Sequence, residues 1–143
     1  MPIRAELRHH YGRVWRTVTR PRILARAGNC CEQCLKPDRE VVETRFLAGR
    51  MWWRATSLPW INHRGQIQTP PRFYDAERFI RVVLTIAHLN HVAGDDRDEN
   101  LKALCQWCHL NYDLAHHHET RAARKDAARP LLTPNQPTKE ANL

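Results

Sequence analysis

The sequence has no long apolar run. Its hydrophobic segments stay well short of the roughly 20 residues that a membrane-spanning helix needs, and its N-terminal stretch, MPIRAELRHHYGRVW, lacks the apolar core of a signal peptide. Glycine is also scarce, with 5 glycines among 143 residues, which excludes a collagen-like chain. These absences predict a cytoplasmic domain that does not span a membrane.

Acidic residues are too few to balance the basic ones. The chain carries 23 Lys and Arg against 15 Asp and Glu, a formal net charge of +8. A charge of this size favours a polyanionic partner, a nucleic acid or an acidic membrane surface. The length suits one domain that can bury a hydrophobic core.

The cysteines fall into two short clusters, CCEQC and CQWC. Each cluster contains a Cys-x-x-Cys pair, Cys31 with Cys34 and Cys105 with Cys108. Two such pairs can complete one tetrahedral zinc site, which would be structural, whereas the alternative is a disulfide or redox pair within each turn. Cys30 is not a predicted zinc ligand, because using it in place of Cys31 would break the two-residue spacing of the pair. Zinc bound here would join the ends of a long loop.

Residues 1–29 form a basic segment. Pro21 and Gly28 are typical of a helix start and a helix end, which predicts a short helix that leads into the first cysteine turn. Arginines cluster here with a single acidic residue, Glu6, which indicates phosphate contacts, although a merely solvated face is the alternative. The candidate nucleic-acid contacts in this segment are Arg13, Arg16, Arg22 and Arg26.

The rest of the chain divides by composition. Residues 35–79 are predicted to be an insert of short strands and loops, in which tryptophans beside arginines are either core residues or base-stacking residues. Residues 80–91 are β-branched and apolar, which predicts one strand, and 110–128 have helix composition. Residues 130–143 contain three prolines and are predicted to be a flexible tail.

One arrangement of residues carries chemistry. His88 and His91 close the predicted strand, Asn100 follows a polar loop, and His109 follows directly on the second Cys-x-x-Cys pair. This order resembles the HNH endonuclease family, in its four-cysteine, zinc-containing form from phages and bacteria. The resemblance extends over about residues 11–125 and is dense at 26–34 and 80–113. It implies an enzyme that hydrolyses DNA phosphodiester bonds.

The resemblance also implies roles. His88 would be the general base that activates water, and Asn100 would tether the loop and orient that base. His109 would ligate a divalent ion, Mg²⁺ or Mn²⁺, joined by Asp113 one helical turn later. His91 would be a metal ligand or would exchange roles with His88, with a plain loop histidine as the alternative. Many relatives carry a metal ligand directly before the base, where this chain has Ala87.

Other polar groups near this arrangement are given lesser roles. The loop acids are interpreted as solvated, and a helix can turn at most one of the three consecutive histidines at 116–118 towards a site. Arg121 and Arg124, in the late basic run, are candidate phosphate contacts or solvated residues. The loop acids are Asp95, Asp96, Asp98 and Glu99.

The expected fold is therefore α+β: a small ββα-metal (His-Me finger) core over 80–129, a four-cysteine zinc site and an N-terminal helical segment, all in one domain over 1–129. DNA is the expected partner, and the resemblance also allows a homodimer or phage packaging proteins. Two rival functions remain open. One is a zinc-ribbon nucleic-acid-binding module without catalysis, which Ala87 favours, and the other is a nuclease that assists a phage packaging motor.

Overall fold

The computed structural model describes residues 3–72 and 76–128. The chain divides into two compact units, Met1–Tyr112 and Asp113–Leu143. The first unit is a small mixed α+β structure, which confirms the predicted fold class at this level. The flexible tail predicted at 130–143 lies outside the described residues.

Two antiparallel sheets make up the strands of the first unit. A four-stranded sheet has the order β3-β2-β1-β4, and a two-stranded ribbon pairs β5 with β6. The segment 35–79 that was predicted to be an insert contains three strands of the four-stranded sheet and part of the fourth. The strands are β1 (Val41–Leu47), β2 (Arg50–Arg54), β3 (Ile61–Asn62), β4 (Ala76–Arg81), β5 (Leu84–His88) and β6 (Leu101–Cys105).

The β1–β2 hairpin is set by its turn. Leu47 pairs with Arg50, so that only Ala48 and Gly49 lie between the strands. Both have positive φ, 46° and 73°. Two consecutive residues with positive φ produce the twist that matches paired strands, as in a type I′ turn.

The single strand predicted over 80–91 is wrong. The structure divides this stretch into β4 and β5, which belong to different sheets. Val82 still bonds to the chain before β1, through Glu40 and Arg39. Leu84 instead donates its N–H to the Asp38 carboxylate at 2.8 Å, which starts the new strand. The hydrophobic pattern is continuous across this change of sheet because both strands face the same core.

Two helices flank the ribbon. Helix α1 (Arg20–Arg26) has Pro21 in its first turn and ends before Gly28, which has φ of 61°, as the sequence predicts. Helix α2 (Gln106–Ala127) begins four residues earlier than the predicted 110. Before α1 lie a 3₁₀ segment, Ala5–Tyr11, and a π-helical segment, Trp15–Thr19.

Candidate metal centre and the His88 loop

Four cysteines come together at the junction of the N-terminal segment and the ribbon. Cys31 and Cys34 lie in the turn after α1, Cys105 ends β6, and Cys108 lies in the first turn of α2. All four are buried, and their sulfur atoms lie within 4.8 Å of one another. The Sγ atoms of Cys34 and Cys105 are 3.7 Å apart. A zinc ion with Zn–S bonds of about 2.3 Å requires sulfurs about 3.8 Å apart in a tetrahedron. The cluster is therefore positioned to hold a metal ion such as zinc.

Backbone hydrogen bonds fix the first cysteine turn. Cys31 N–H donates to the Lys36 carbonyl at 2.8 Å and closes the turn on itself. Glu32 pairs with Ala103 of β6 twice, donating its N–H to the Ala103 carbonyl and accepting the Ala103 N–H at its carboxylate. The indole of Trp53, on β2, donates to the Cys34 carbonyl at 2.7 Å. The turn is thus held by the ribbon and by the four-stranded sheet together.

Hydrogen bonding within the cluster lowers the pKa of two of its thiols and, chiefly through Cys105, raises the pKa of the other two, Cys34 and Cys108. A hydrogen bond from the Cys108 thiol lowers the pKa of Cys105 to about 7. Hydrogen bonding, chiefly with Cys105, also lowers the pKa of Cys31. The thiolate is the form that binds a metal. Cys30 stands outside the cluster, partly exposed, and burial raises the pKa of its thiol.

His88 lies at the end of β5 and is 8% exposed. Its Nε2 is 3.0 Å from an oxygen of Asp96. The indole of Trp15 stacks on the imidazole, with ring centres 5.2 Å apart, and Tyr11 meets it edge-on at 6.2 Å. Burial, followed by the nearby charge of Asp96, raises the pKa of Tyr11. The imidazole is therefore oriented by a carboxylate and covered by two aromatic rings from the N-terminal segment.

Asn100 ties the loop between β5 and β6 to itself. Its side-chain oxygen accepts the N–H of Asn90 at 3.0 Å, and its side-chain N–H₂ donates to the Asn90 side chain and to the Asp95 carbonyl. Asp95 in turn accepts hydrogen bonds from Arg97, which lower the pKa of its carboxyl to about 2. Asn100 is buried. The loop that carries Asp96 is thus held in one conformation from both ends.

The other two histidines make separate contacts. The ring of His91 stacks on Tyr112, with ring centres 5.3 Å apart, and the Tyr112 hydroxyl donates to the carbonyl of Leu89. His109 Nδ1 is 2.6 Å from the Thr85 hydroxyl. Because strand side chains alternate, Thr85 shares one face of β5 with Ala87, and His88 belongs to the other face.

No three candidate ligands of the predicted catalytic ion meet among residues 3–72 and 76–128. Within those residues, the four cysteines are the only group of three or more His, Cys, Asp or Glu side chains whose ligand atoms come together. Ala87, at the position where the resemblance to the HNH family led us to look for a ligand, is 1% exposed. Asp113 lies in the second unit, on α2.

The predicted DNA-contacting arginines differ in what they touch. Arg26 donates to the carbonyls of Asp98 and Leu101 and to the Glu32 carboxylate, so that it links α1 to the ribbon. Arg22 pairs with Asp98 at 2.7 Å. Most of the hydrogen-bonding capacity of Arg26 is therefore used within the fold, and phosphate binding by Arg26 stays a prediction.

Arg13 and Arg16 are exposed and have no ionic partner in the part of the chain that the structure describes. Arg16 also lines an open cleft of about 430 Å³ together with Arg8 and Tyr11. Arg121 and Arg124 are exposed on α2 within the second unit. The cleft brings positive charge next to Tyr11, which itself touches His88.

Three residues around His88 were not predicted from the sequence to belong to the site. Asp96 was interpreted as a solvated loop acid, and Trp15 and Tyr11 were given no role. The only sequence signal for the two aromatic residues is their spacing of four, which places side chains on one face of a helical turn.

No protein-family model, curated protein or solved structure matches this chain. Among the described residues, no helix is long and apolar enough to cross a membrane.

Proposed function

We propose that this protein is a DNA endonuclease of the HNH type, in which His88 is the general base. The pairing of His88 with Asp96, on a loop that Asn100 ties down, is the observation that carries the proposal. The order of elements agrees with it, because His88 ends one strand of a ribbon, Asn100 directly precedes the other and His109 lies on the helix that follows.

The hydrogen bond to Asp96 suggests which nitrogen of His88 takes the proton. When Nε2 carries the hydrogen and donates it to Asp96, the lone pair is on Nδ1. Nδ1 then accepts a proton from the attacking water, and the Asp96 carboxylate stabilises the imidazolium that forms.

The phosphate backbone of the substrate would lie along the cleft of Arg8, Arg16 and Tyr11. These arginines provide positive charge for a polyanion, and the contact between Tyr11 and His88 brings the cleft to the base. Arg13, exposed between them, adds to the same charge. Such contacts release counterions from DNA, so that affinity falls as salt rises.

Two metals belong to the proposal. Zinc in the four-cysteine centre would be structural, since the protein supplies all four ligands and leaves no open position. A divalent ion such as Mg²⁺ or Mn²⁺ would be held in the region of His109, with His91 as a further candidate. Because the described side chains do not assemble three ligands for this ion, no catalytic step is assigned to it.

A second candidate function is nucleic-acid binding without cleavage. Ala87 and the lack of a three-ligand group among the described residues favour it. This alternative retains the zinc centre and the basic cleft, but it gives the pairing of His88 with Asp96 only a structural role.

Plasmid cleavage with added Mg²⁺, with Mn²⁺ and with neither ion tests the proposal. The wild type, His88→Ala and the matched control His118→Ala, whose histidine is exposed on α2, are compared after each is checked for zinc content and thermal unfolding. We expect cleavage to need the added ion and to fall about 100-fold or more in His88→Ala alone.

DNA binding by the same three proteins separates the two candidates. Equal binding by all three, with the plasmid left intact under every condition, would contradict the nuclease and support the binding module. Cleavage by folded His88→Ala at the wild-type rate would contradict the role of His88.

A further inference from the structure

The four-stranded sheet has an open edge. β4 is its last strand and pairs only with β1 among the described residues. An unpaired strand presents a row of free N–H and C=O groups that can pair with another strand. Natural proteins usually protect such an edge with charge, proline or a covering segment. Here the centre of the strand is Phe79, which is 71% exposed.

The hydrogen bonds show which groups of β4 point outward. Val82 directs its N–H and C=O to the chain before β1, and the hydroxyl of Thr44, on β1, donates to the carbonyl of Arg78. Since backbone groups in a strand alternate in direction, residues 78, 80 and 82 face β1. Residues 77, 79 and 81 therefore face the open edge. The Arg81 carbonyl agrees with this assignment, because it accepts a hydrogen bond from Gln106, which is outside the sheet.

The sequence of β4, AERFIR, is complementary to itself. When two copies pair in antiparallel fashion with Phe79 opposite Phe79, Glu77 of each copy lies opposite Arg81 of the other. All of these residues have outward-facing backbone groups, so that this register pairs the N–H and C=O of Glu77 and Phe79 and the N–H of Arg81. The Arg81 carbonyl, which accepts a hydrogen bond from Gln106, would share that bond or exchange it for one with the second copy. A shift of two residues along the strand in either direction loses the pairing of Glu77 with Arg81.

We propose that a second copy of this chain pairs along β4, centred on Phe79, and joins two four-stranded sheets into one. Cross-strand aromatic pairs and opposite charges each stabilise such a pairing. Val41, which lies opposite Arg81 on β1, is 57% exposed on the same face as Phe79 and would extend the apolar contact. The assembly is symmetric and closed, because the same edge of both chains is occupied in the pairing.

This dimer is independent of the proposed nuclease function, since β4 carries none of the residues assigned to catalysis. It would nonetheless place two copies of the His88 loop in one particle.

The mass of the zinc-loaded full chain, measured by light scattering during size exclusion across a concentration series, tests the pairing. We expect the wild type to approach twice the 16.8 kDa of one chain as its concentration rises. Arg81→Glu would set two glutamates against each other at each end and weaken the dimer by about tenfold or more. The control Arg64→Glu, which makes the same charge change on an exposed loop residue, should leave the dimer intact.

The exchanged pair, Glu77→Arg with Arg81→Glu, restores opposite charges in the same register and should recover the dimer. Phe79→Lys should dissociate it while leaving zinc content and thermal unfolding unchanged, because the Phe79 side chain is exposed. A wild type that stays monomeric throughout would overturn the proposal. An Arg81→Glu variant that dimerises like the wild type, or a double variant no tighter than the single one, would overturn it as well.

Discussion

The cysteine centre and the His88 loop lie on the same ribbon, yet they are built in opposite ways. The centre is closed, since its four sulfurs are buried and lie within 4.8 Å of one another, as a four-coordinate metal site requires. The His88 site is composite, since its parts come from a strand end, a polar loop and the N-terminal segment. The first arrangement suits stability and the second suits chemistry, because a structural metal needs all positions filled whereas a reacting site needs one open.

The two sites also differ in how they depend on the rest of the fold. The cysteine turn is tied to β6 through Glu32 and to β2 through Trp53, so that loss of the metal would loosen three segments at once. The His88 loop is held mainly by Asn100 and by contacts within the loop itself. Damage to the centre should therefore unfold the chain, whereas damage to the loop should first impair function.

The largest loss of stability is expected when a cysteine of the metal centre is replaced. Cys108→Ser removes one of four buried ligands and should lower the free energy of unfolding by at least about 3 kcal/mol, with loss of bound zinc. Cys30→Ser is the matched control, because Cys30 lies outside the cluster. This variant should keep the wild-type stability and the bound zinc. Zinc content and thermal unfolding measure the difference. If both variants melt alike and keep zinc, the four-cysteine centre is not what stabilises the fold.

A smaller loss of stability is expected from the loop. Asn100→Ala removes three hydrogen bonds from a buried side chain and should lower the free energy of unfolding by about 1–3 kcal/mol. Zinc should stay bound, which separates this change from Cys108→Ser. Asn111→Ala, an exposed asparagine on α2, is the control and should cost much less. Chemical denaturation gives both values, and equal costs would show that Asn100 does not hold the loop.

The contrast between the cysteine centre and the His88 loop also explains which features could be predicted from the sequence. Each Cys-x-x-Cys pair brings two sulfurs together by local spacing, and a four-cysteine zinc site needs two such pairs, so that their meeting was predictable, as was α1 from Pro21 and Gly28. The change of sheet at Val82 was not, because it depends on a hydrogen bond from Leu84 to the distant Asp38. The stacking of Trp15 on His88 and the inward bonds of Arg26 are likewise tertiary contacts that local patterns do not encode.

An effect on catalysis without an effect on stability is expected at Asp96. Asp96→Asn keeps the size of the side chain but removes the charge that stabilises a protonated His88, so that cleavage should slow by about 10-fold to 100-fold. Thermal unfolding and zinc content should not change. Glu99→Gln, an exposed residue of the same loop, serves as the control. Cleavage rates at saturating DNA decide the matter, and an unaltered rate in Asp96→Asn would remove Asp96 from the proposed mechanism.

The smallest effect is expected for DNA affinity when an arginine of the cleft is replaced. Arg16 and Arg26 look alike in sequence, but their replacement should change different properties. Arg16→Gln removes one exposed positive charge beside Tyr11, so that DNA affinity should weaken and the slope of its logarithm against the logarithm of salt concentration should fall by about 1. Arg26→Gln should instead lower thermal stability, because its guanidinium joins α1 to Glu32 and to the ribbon. Binding titrations at several salt concentrations, paired with melting curves, distinguish the two outcomes. A salt slope that changes equally in both variants would place Arg26 on the DNA after all, and the division between arginines that build the fold and arginines that bind the substrate would fail.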